Sequence, residues 1–391
     1  MLTSSHNQSE QHAARKFGLA FLGGAFDSAV GRVHRTACAM DQRFELRAGC
    51  FSRDSESNKV AAAQYGLDPE SICGSFDEVL ERRADGIDAI VILTPTDQHR
   101  GQVLKCLEAG VPVICEKALA TSVSEIQAIK ESLFRNDGFL SVTYNYTGYP
   151  MLRELRRMVL SRRFGRVRQI HVEMPQDGFA RIGADGMPLS PQSWRLRDGP
   201  IPTISLDLGV HLHMMIRFLI NMEPTEVVAV SDTFGNFSQI VDNVSCIVRY
   251  GEDLTCNVWF SKTALGYRNG LRLRLFGELG AAEWQQEAPE YLYLTDSFGN
   301  KSIVDRASQN AMVANQLRYG RFKVGHPSGF IEAFANYYSD IADALQVYLN
   351  GGRQSNEYVF GIEEALQGSL LLQAVADSSA SRSWMPIGVQ A

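Results

Sequence analysis

From Phe17 to Tyr146, short apolar runs alternate with stretches of helical periodicity. Phe17 to Leu22, Phe44 to Phe51, Ile87 to Leu93, Val111 to Cys115 and Phe139 to Thr143 read as strands; Val111 to Cys115 has the apolar run of a strand buried on both faces, and Ile87 to Leu93 reads as largely buried. Between them, Lys59 to Gly66 and Phe76 to Arg82 read as helices. Asp97 to Gly110 places Val103, Leu104, Cys106 and Leu107 at amphipathic spacing, and a helix running to Leu133 opens with Ser122 and Glu125 at capping-box spacing. Strand and helix alternating, with glycine and proline at the connections, predict an α/β fold whose first domain, residues 17–146, is a doubly wound parallel sheet of the Rossmann type.

The pattern then changes. Met151 to Leu160 is a basic amphipathic helix, Phe164-Gly165-Arg166 leads into a strand through Glu173, and Pro175 to Pro202 has the glycine, proline and polar content of a loop over a site. From Glu226 onward, Val227 to Ser231, Val244 to Tyr250, Leu254 to Ser261, Leu271 to Phe276 and Ala281 to Trp284 follow one another across short turns with no helix between them, which predicts an open, mostly antiparallel sheet. Helices over Gly329 to Leu349 and Gly361 to Asp377 complete an α+β second domain, residues 147–377, with the last helix packing back on the first domain. Residues 1–16 are polar and read as a disordered leader, and residues 378–391 as a tail.

Composition narrows the function. The 391 residues carry a net charge of −6, so phosphate backbones and anionic lipid surfaces are poor general partners, and neither nucleic acid nor membrane is expected. The seven cysteines are odd in number, scattered and without a CxxC pair, which suggests neither a disulfide framework nor a metal cluster and fits a reducing compartment. With no signal sequence and no run near the roughly 18 apolar residues of a membrane span, a cytoplasmic protein is expected.

Three stretches carry candidate chemistry. Gly23-Gly24-Ala25 closes the first strand before a helical pattern that includes Gly31, an imperfect dinucleotide-binding turn in which glycine lets backbone amides approach a pyrophosphate; a plain tight turn is the competing reading. Ser52 and Arg53 follow the second strand where an acid would select NAD, so they favour NADP, with NAD the alternative; Asp54 reads as the cap of the next helix. Glu116 and Lys117 end the fourth run, where an open α/β sheet binds ligands, so Lys117 is placed where a dinucleotide meets a second reactant. Downstream, Asp207 and His211 are four residues apart, adjacent on one face of a helix: an imidazole to take a proton and a carboxylate to orient it or the hydroxyl. His213 points elsewhere and reads as structural. Trp194-Arg195 offers either an apolar face and a cation for a polyhydroxylated ligand or an anchor for the loop.

Thr94-Pro95, His99, Leu107-Glu108-Ala109-Gly110, Val113 and Cys115-Glu116-Lys117, with Gly31 and His34 and the Asp207-Leu208-Gly209-Val210-His211 stretch, resemble the Gfo/Idh/MocA family of nicotinamide-dependent oxidoreductases. The resemblance spans Phe17 to about Asp377 and implies hydride transfer between NADP or NAD and a carbon of a sugar, sugar derivative or cyclitol. By that resemblance Lys117, Asp207 and His211 are catalytic. Gly23, Gly24, Ala25, Gly31, Ser52, Arg53, Thr94, Pro95, His99, Glu116, Lys117 and Asn145 are expected to hold cofactor. Tyr144, Trp194, Arg195 and His326 join the catalytic three against substrate, though His326 reads equally as a loop or capping residue. No metal is implied, and a homodimer or homotetramer is. Two positions depart from the pattern: Ala118 stands where the family has proline, and Ile201-Pro202 stands near the place of a Gly-Gly pair. An NAD-dependent glycosidase acting by transient oxidation and elimination, and a non-catalytic dinucleotide-binding regulator, are the competing functions.

Overall fold

In the first strand, β1 (Phe17–Gly23), Phe17, Leu19 and Phe21 pack into one core while Ala20 and Leu22 pack into another, so both faces are covered. The computed structural model describes residues 15–28, 30–353 and 356–388. In chain order come α1 (Gly31–Met40), β2 (Phe44–Cys50), α2 (Ser55–Gln64), α3 (Phe76–Glu81), β3 (Ala89–Leu93), α4 (Thr96–Glu108), β4 (Val113–Glu116), α5 (Val123–Arg135) and β5 (Leu140–Thr143). The strands form a five-stranded parallel sheet in the order β2-β1-β3-β4-β5. The order reverses between β1 and β3, and that crevice, outside the carboxyl ends of the strands, is where open α/β sheets bind ligands.

The second half begins with α6 (Pro150–Leu160) and β6 (Val167–Pro175), then α7 (Val210–Ile220), β7 (Glu226–Asp232), β8 (Asn243–Tyr250) and β9 (Leu254–Ser261). It continues through β10 (Arg272–Gly277), β11 (Gly280–Gln285), β12 (Leu292–Asp296), β13 (Lys301–Val304), α8 (Phe330–Leu349), α9 (Ile362–Ser381) and β14 (Met385–Pro386). Its nine-stranded sheet, β13-β12-β11-β10-β6-β9-β8-β7-β14, is antiparallel at every pair except β6 and β9. Alternation in β8, buried at Val244, Cys246, Val248 and Tyr250 and exposed between, sets its register: α7 and α9 lie over the inner face and the outer face is open.

Two helices of the second half finish the first sheet. Phe334, Tyr337, Tyr338, Ile341 and Leu345 of α8 fill the core over β1 and β3 beside Ala37 and Cys38 of α1, and α9 packs on α5 as well as on β7. The two sheets are therefore tied together by shared helices.

Several expectations are corrected at the edges. Residues 1–14 of the expected leader lie outside the described residues, but Arg15 is tied down by a bidentate pair with Asp88 at 2.7 and 2.9 Å and Lys16 bonds Gln42, so neither belongs to a disordered leader. The expected tail is structured to Gly388: α9 runs on to Ser381, and Met385–Pro386 adds a strand to β7. The strands β12 and β13 are additions to the expected sheet: β12 is short, and Lys301–Val304 is exposed at three of its four positions, so neither presents a continuous apolar run. All seven cysteines are free and buried, and among the described residues no helix is long and apolar enough to cross a membrane.

Candidate functional site

The carboxyl ends of β1 to β4 open into a cleft of about 620 Å³. Gly23 and Gly24 form its turn with φ of +81° and +74°, a backbone that L side chains rarely adopt, and Ala25 and Ser28 continue the wall. Gly31 opens α1 and stays out of the lining: a Cβ there would stand 2.2 Å from the Gly24 carbonyl oxygen, so its role is to let helix and turn close together. Ser52 and Arg53 line the far end beyond β2. Asp54 is committed elsewhere, its carboxylate accepting the Ser57 amide at 2.8 Å as the cap of α2. Thr94, Pro95, Glu116 and Lys117 close the near end, where Trp194, Arg195 and Asp207 approach from the second half of the chain.

Behind this lining stand two buried histidines. His34 bridges the halves, with Nε2 2.8 Å from the Glu116 carboxylate and Nδ1 2.7 Å from the Tyr338 hydroxyl of α8. Burial works to raise the Glu116 carboxyl, but bonds from His34 and Thr143 and the Lys117 charge hold it below the usual range, so Glu116 is an anion. His99 is fully buried between the Ala118 carbonyl at 2.8 Å and the Thr94 carbonyl at 2.7 Å. It braces the ends of β3 and β4 and does not line the cleft, contrary to the expected cofactor contact. The Lys117–Ala118 peptide bond is cis. Ala118 packs with Ile201, Leu206, Val210 and Leu372, so the two departures from the family pattern meet in one small cluster.

At the inner end of the cleft the Asp207 carboxylate is enclosed by three cations. Lys117 Nζ donates to Oδ1 at 3.1 Å and to the Asp207 carbonyl at 2.8 Å; Lys262 Nζ lies 2.7 Å from Oδ2; and Arg195 pairs with the same oxygen. Burial opposes the charge, yet Lys262, Lys117 and Arg195 hold the Asp207 carboxyl well below its ordinary range. Asp207 sits in a π-turn, Ser205–Gly209, in which the Val210 amide reaches back to the Ser205 carbonyl. The wide turn breaks the expected α-helical spacing: among the described residues no hydrogen bond joins Asp207 to His211. His211, on the first turn of α7, lies edge-on to the Tyr146 ring with centroids 4.7 Å apart. Burial, aided by the Lys117 charge, pushes its imidazole down to about 3, so it is neutral at physiological pH.

The remaining expected site residues fall as follows. Asn145 is buried beside this end of the sheet and does not itself line the cleft; among the described residues its side-chain amide nitrogen has no hydrogen-bond partner. Tyr144 faces away, its ring packed against Phe360, and Tyr146 takes the place expected for it because the 3₁₀ turn Asn145–Gly148 redirects the chain. Trp194 lines the cleft and carries the Arg195 guanidinium over its ring at 4.5 Å, so loop anchor and cation act together. His326 is exposed, held by the Lys323 carbonyl at 3.1 Å, and does not line the cleft. Lys262 was not singled out in the sequence, although it follows an apolar strand as Lys117 does. Among the described residues no group of three or more His, Cys, Asp or Glu is placed to hold a metal.

The fold, the glycine turn at the switch point and the orphaned Asn145 amide fit a dinucleotide laid across the strand ends with its reactive ring near Lys117. Comparison with known proteins agrees in kind. Residues 3–144 match the model of an oxidoreductase family with an NAD-binding Rossmann fold, and residues 152–283 match the GFO/IDH/MocA C-terminal domain. The crystal structure of an oxidoreductase from Sinorhizobium meliloti is 31% identical and superposes with a TM-score of 0.82 over 95% of this chain and 99% of that one. An inositol dehydrogenase homolog from Azotobacter vinelandii, complexed with NADH and myo-inositol, is 25% identical with a TM-score of 0.86 over 95% and 98%. An uncharacterized oxidoreductase of Bacillus subtilis is 29% identical over 336 residues, 83% of this chain and 84% of its own.

Proposed function

The chain belongs to the GFO/IDH/MocA oxidoreductase family, an NAD(P)-dependent dehydrogenase by that membership, and from this premise we propose that it moves a hydride between NADP(H) or NAD(H) and a CH–OH carbon of a sugar, sugar derivative or cyclitol. The observation that carries the reading is the meeting of Lys117 with Asp207 at 3.1 Å, at the inner end of the cleft and beside His211. The bound nicotinamide supplies the hydride acceptor or donor. Lys117 takes the reacting oxygen. Three cations against the Asp207 and Glu116 carboxylates leave a net positive charge at the inner end of the cleft, which stabilises the alkoxide that develops as hydride leaves. His211 is in the unprotonated form that accepts the hydroxyl proton, and Asp207 aims Lys117 through the carboxylate they share. Asn145 offers its unpartnered amide to the ring, and Gly23, Gly24 and Ala25 offer backbone to the pyrophosphate.

At the adenosine end we assign a preference for NADP. Ser52 Oγ accepts the Asp54 amide at 3.1 Å and keeps its O–H to donate to a 2′-phosphate, Arg53 lines the same wall of the cleft, and the Asp54 carboxylate is spent on the helix cap. Fluorescence titration of the purified protein with NADPH and NADH tests this: NADPH binds more tightly, and Arg53→Ala weakens NADPH by about tenfold while leaving NADH within a factor of about two. Equal affinity for both, or an NADH preference, overturns the assignment. For the assembly we propose a homodimer or homotetramer joined by the open face of the larger sheet, where exposed Val230 and Ile247 border a depression of about 420 Å³ and exposed Phe276 and Ile303 border another of about 550 Å³. Light scattering of the full chain at a single-protomer mass contradicts it.

A further inference from the structure

Four buried side chains, one each from α8, α1, β4 and β5, are joined behind the near end of the cleft: Tyr338, His34, Glu116 and Thr143. His34 lies three residues after Gly31, which opens α1 at the dinucleotide turn, and its ring is edge-on to Phe334 at 5.0 Å and to Tyr338 at 5.7 Å. Its Nδ1 is 2.7 Å from the Tyr338 hydroxyl and its Nε2 is 2.8 Å from Glu116 Oε1; the same Glu116 oxygen accepts the Thr143 hydroxyl. An ionised carboxylate only accepts, so Nε2 carries the hydrogen that faces Glu116. A neutral ring then accepts the Tyr338 O–H at Nδ1, which fixes the tautomer from the far side.

The other carboxylate oxygen points to the use of this arrangement. Among the described residues Glu116 Oε2 receives no hydrogen bond, and Glu116 lines the cofactor cleft beside Lys117, whose ammonium turns to Asp207. A buried carboxylate that served only to tie β4 to α8 would spend both oxygens on protein donors; here both donors hold one oxygen from behind and leave the second for the cleft. We propose that His34 and Tyr338 are positioning residues that aim the Glu116 carboxylate into the cleft, and that its charge there favours the oxidised nicotinamide, a cation, over the reduced ring, which is neutral. The proposal rests on the dehydrogenase reading and adds to it a role for two buried residues outside the cleft lining and a bias between the two forms of the cofactor. Lys117, which the developing alkoxide needs, repels a cationic ring, and Glu116 offsets that repulsion from the adjacent position in the chain. The reduced ring gains nothing from the same charge, so the effect is on the ratio of the two affinities and not on cofactor binding in general.

Calorimetric titration of the full chain with NADP⁺, NADPH and ADP-ribose 2′-phosphate, which lacks the ring, tests this without any substrate; if the protein binds the NAD series instead, NAD⁺, NADH and ADP-ribose take their places. Glu116→Gln, which keeps the shape and removes the charge, weakens the oxidised form about tenfold relative to the reduced form and leaves the ring-less ligand within a factor of about two. His34→Leu shifts the ratio the same way by about fivefold, and His34→Gln, which keeps a side-chain N–H for Glu116, recovers most of it. Tyr338→Phe, nearly isosteric, shifts it by about threefold. An unchanged ratio in Glu116→Gln overturns the bias. A shift there with none in His34→Leu and Tyr338→Phe overturns the positioning roles, and equal weakening of all three ligands in these two variants reduces the network to a structural tie. If the wild type binds none of the three ligands, the dinucleotide site fails and the proposal with it. The expected ratios in a protein that turns over no polyol uphold the proposal while the dehydrogenase reading fails on its own.

Discussion

Two strand ends, one from each sheet, deliver a lysine to the same carboxylate. Lys117 follows Val113-Ile114-Cys115-Glu116 in the parallel sheet and Lys262 follows Val258-Trp259-Phe260-Ser261 in the mixed one, and their ammonium groups reach opposite oxygens of Asp207 at 3.1 and 2.7 Å. The local signal is the same, yet the surroundings divide the work. Lys117 lines the cleft, with Glu116 beside it held by His34 and Thr143. Lys262 has no place in that lining; it stands behind the carboxylate over the Phe179 ring at 5.3 Å, where burial lowers its proton affinity against the pull of Asp207. A lysine at a strand end is thus a reacting group or a support according to which side of the carboxylate it occupies.

The largest test of that division is Lys117→Met. With the front cation gone, kcat falls by roughly 10³-fold or more while NADPH affinity changes by less than about threefold, as expected for charge stabilisation made only in the transition state. A loss confined to cofactor binding would place Lys117 in the nucleotide site and break the comparison. Arg195→Met sharpens it. Arg195 reaches Asp207 from the loop after β6, partly exposed, and Lys262 remains on the same oxygen, so the expected loss in kcat/KM is about tenfold, smaller than for either lysine.

A second pair, His211 and His213, gives the smallest and most physical test. Both are buried with the imidazole pushed down to about 3 by burial, with a nearby cation adding to it, but His211 faces Tyr146 whereas, among the described residues, both ring nitrogens of His213 lack hydrogen-bond partners. The folded values lie below the roughly 6.5 of an unfolded histidine, so the unfolded chain binds more protons between them. Their stabilisation is complete above about pH 6.5 and is lost as the pH falls toward 3, at about 1.4 kcal/mol per pH unit for each. Urea unfolding across that range, repeated on His213→Leu, is expected to show the slope reduced by one proton with activity retained and no loss of stability at pH 7. An unchanged slope would mean that His213 is protonated in the folded protein.

The apolar runs made the parallel sheet legible, since Phe17, Leu19 and Phe21 on one side and Ala20 and Leu22 on the other leave no solvent face. Lys117, Asp207 and His211 were legible from strand end and spacing as candidates, and they do converge. What did not follow was their exact relation. Four-residue spacing implies contact only on an α-helix, and the π-turn at Ser205–Gly209 instead frees the Asp207 carbonyl for Lys117. Tyr144 was the expected substrate contact, but a 3₁₀ turn that neither periodicity nor composition marks sets Tyr146 against His211 and Tyr144 against Phe360. Lys262 carries the same strand-end signal as Lys117, but a strand end in a mixed, mostly antiparallel sheet has no general rule placing it at a site. His99 misled in the other direction: the family resemblance implied a cofactor contact, but its two ring nitrogens face the Ala118 and Thr94 carbonyls and it does not line the cleft.

The most direct measurement is reduced-nicotinamide absorbance on mixing the purified full chain with NADP⁺ or NAD⁺ and a panel of neutral polyols, run in parallel on wild type and Lys117→Met. The wild type is expected to form reduced cofactor stoichiometrically with polyol, with NADP⁺ the better acceptor, and the variant to lose this while still binding cofactor. Cofactor binding with no reduction by any polyol, or equal turnover by both proteins, would contradict it.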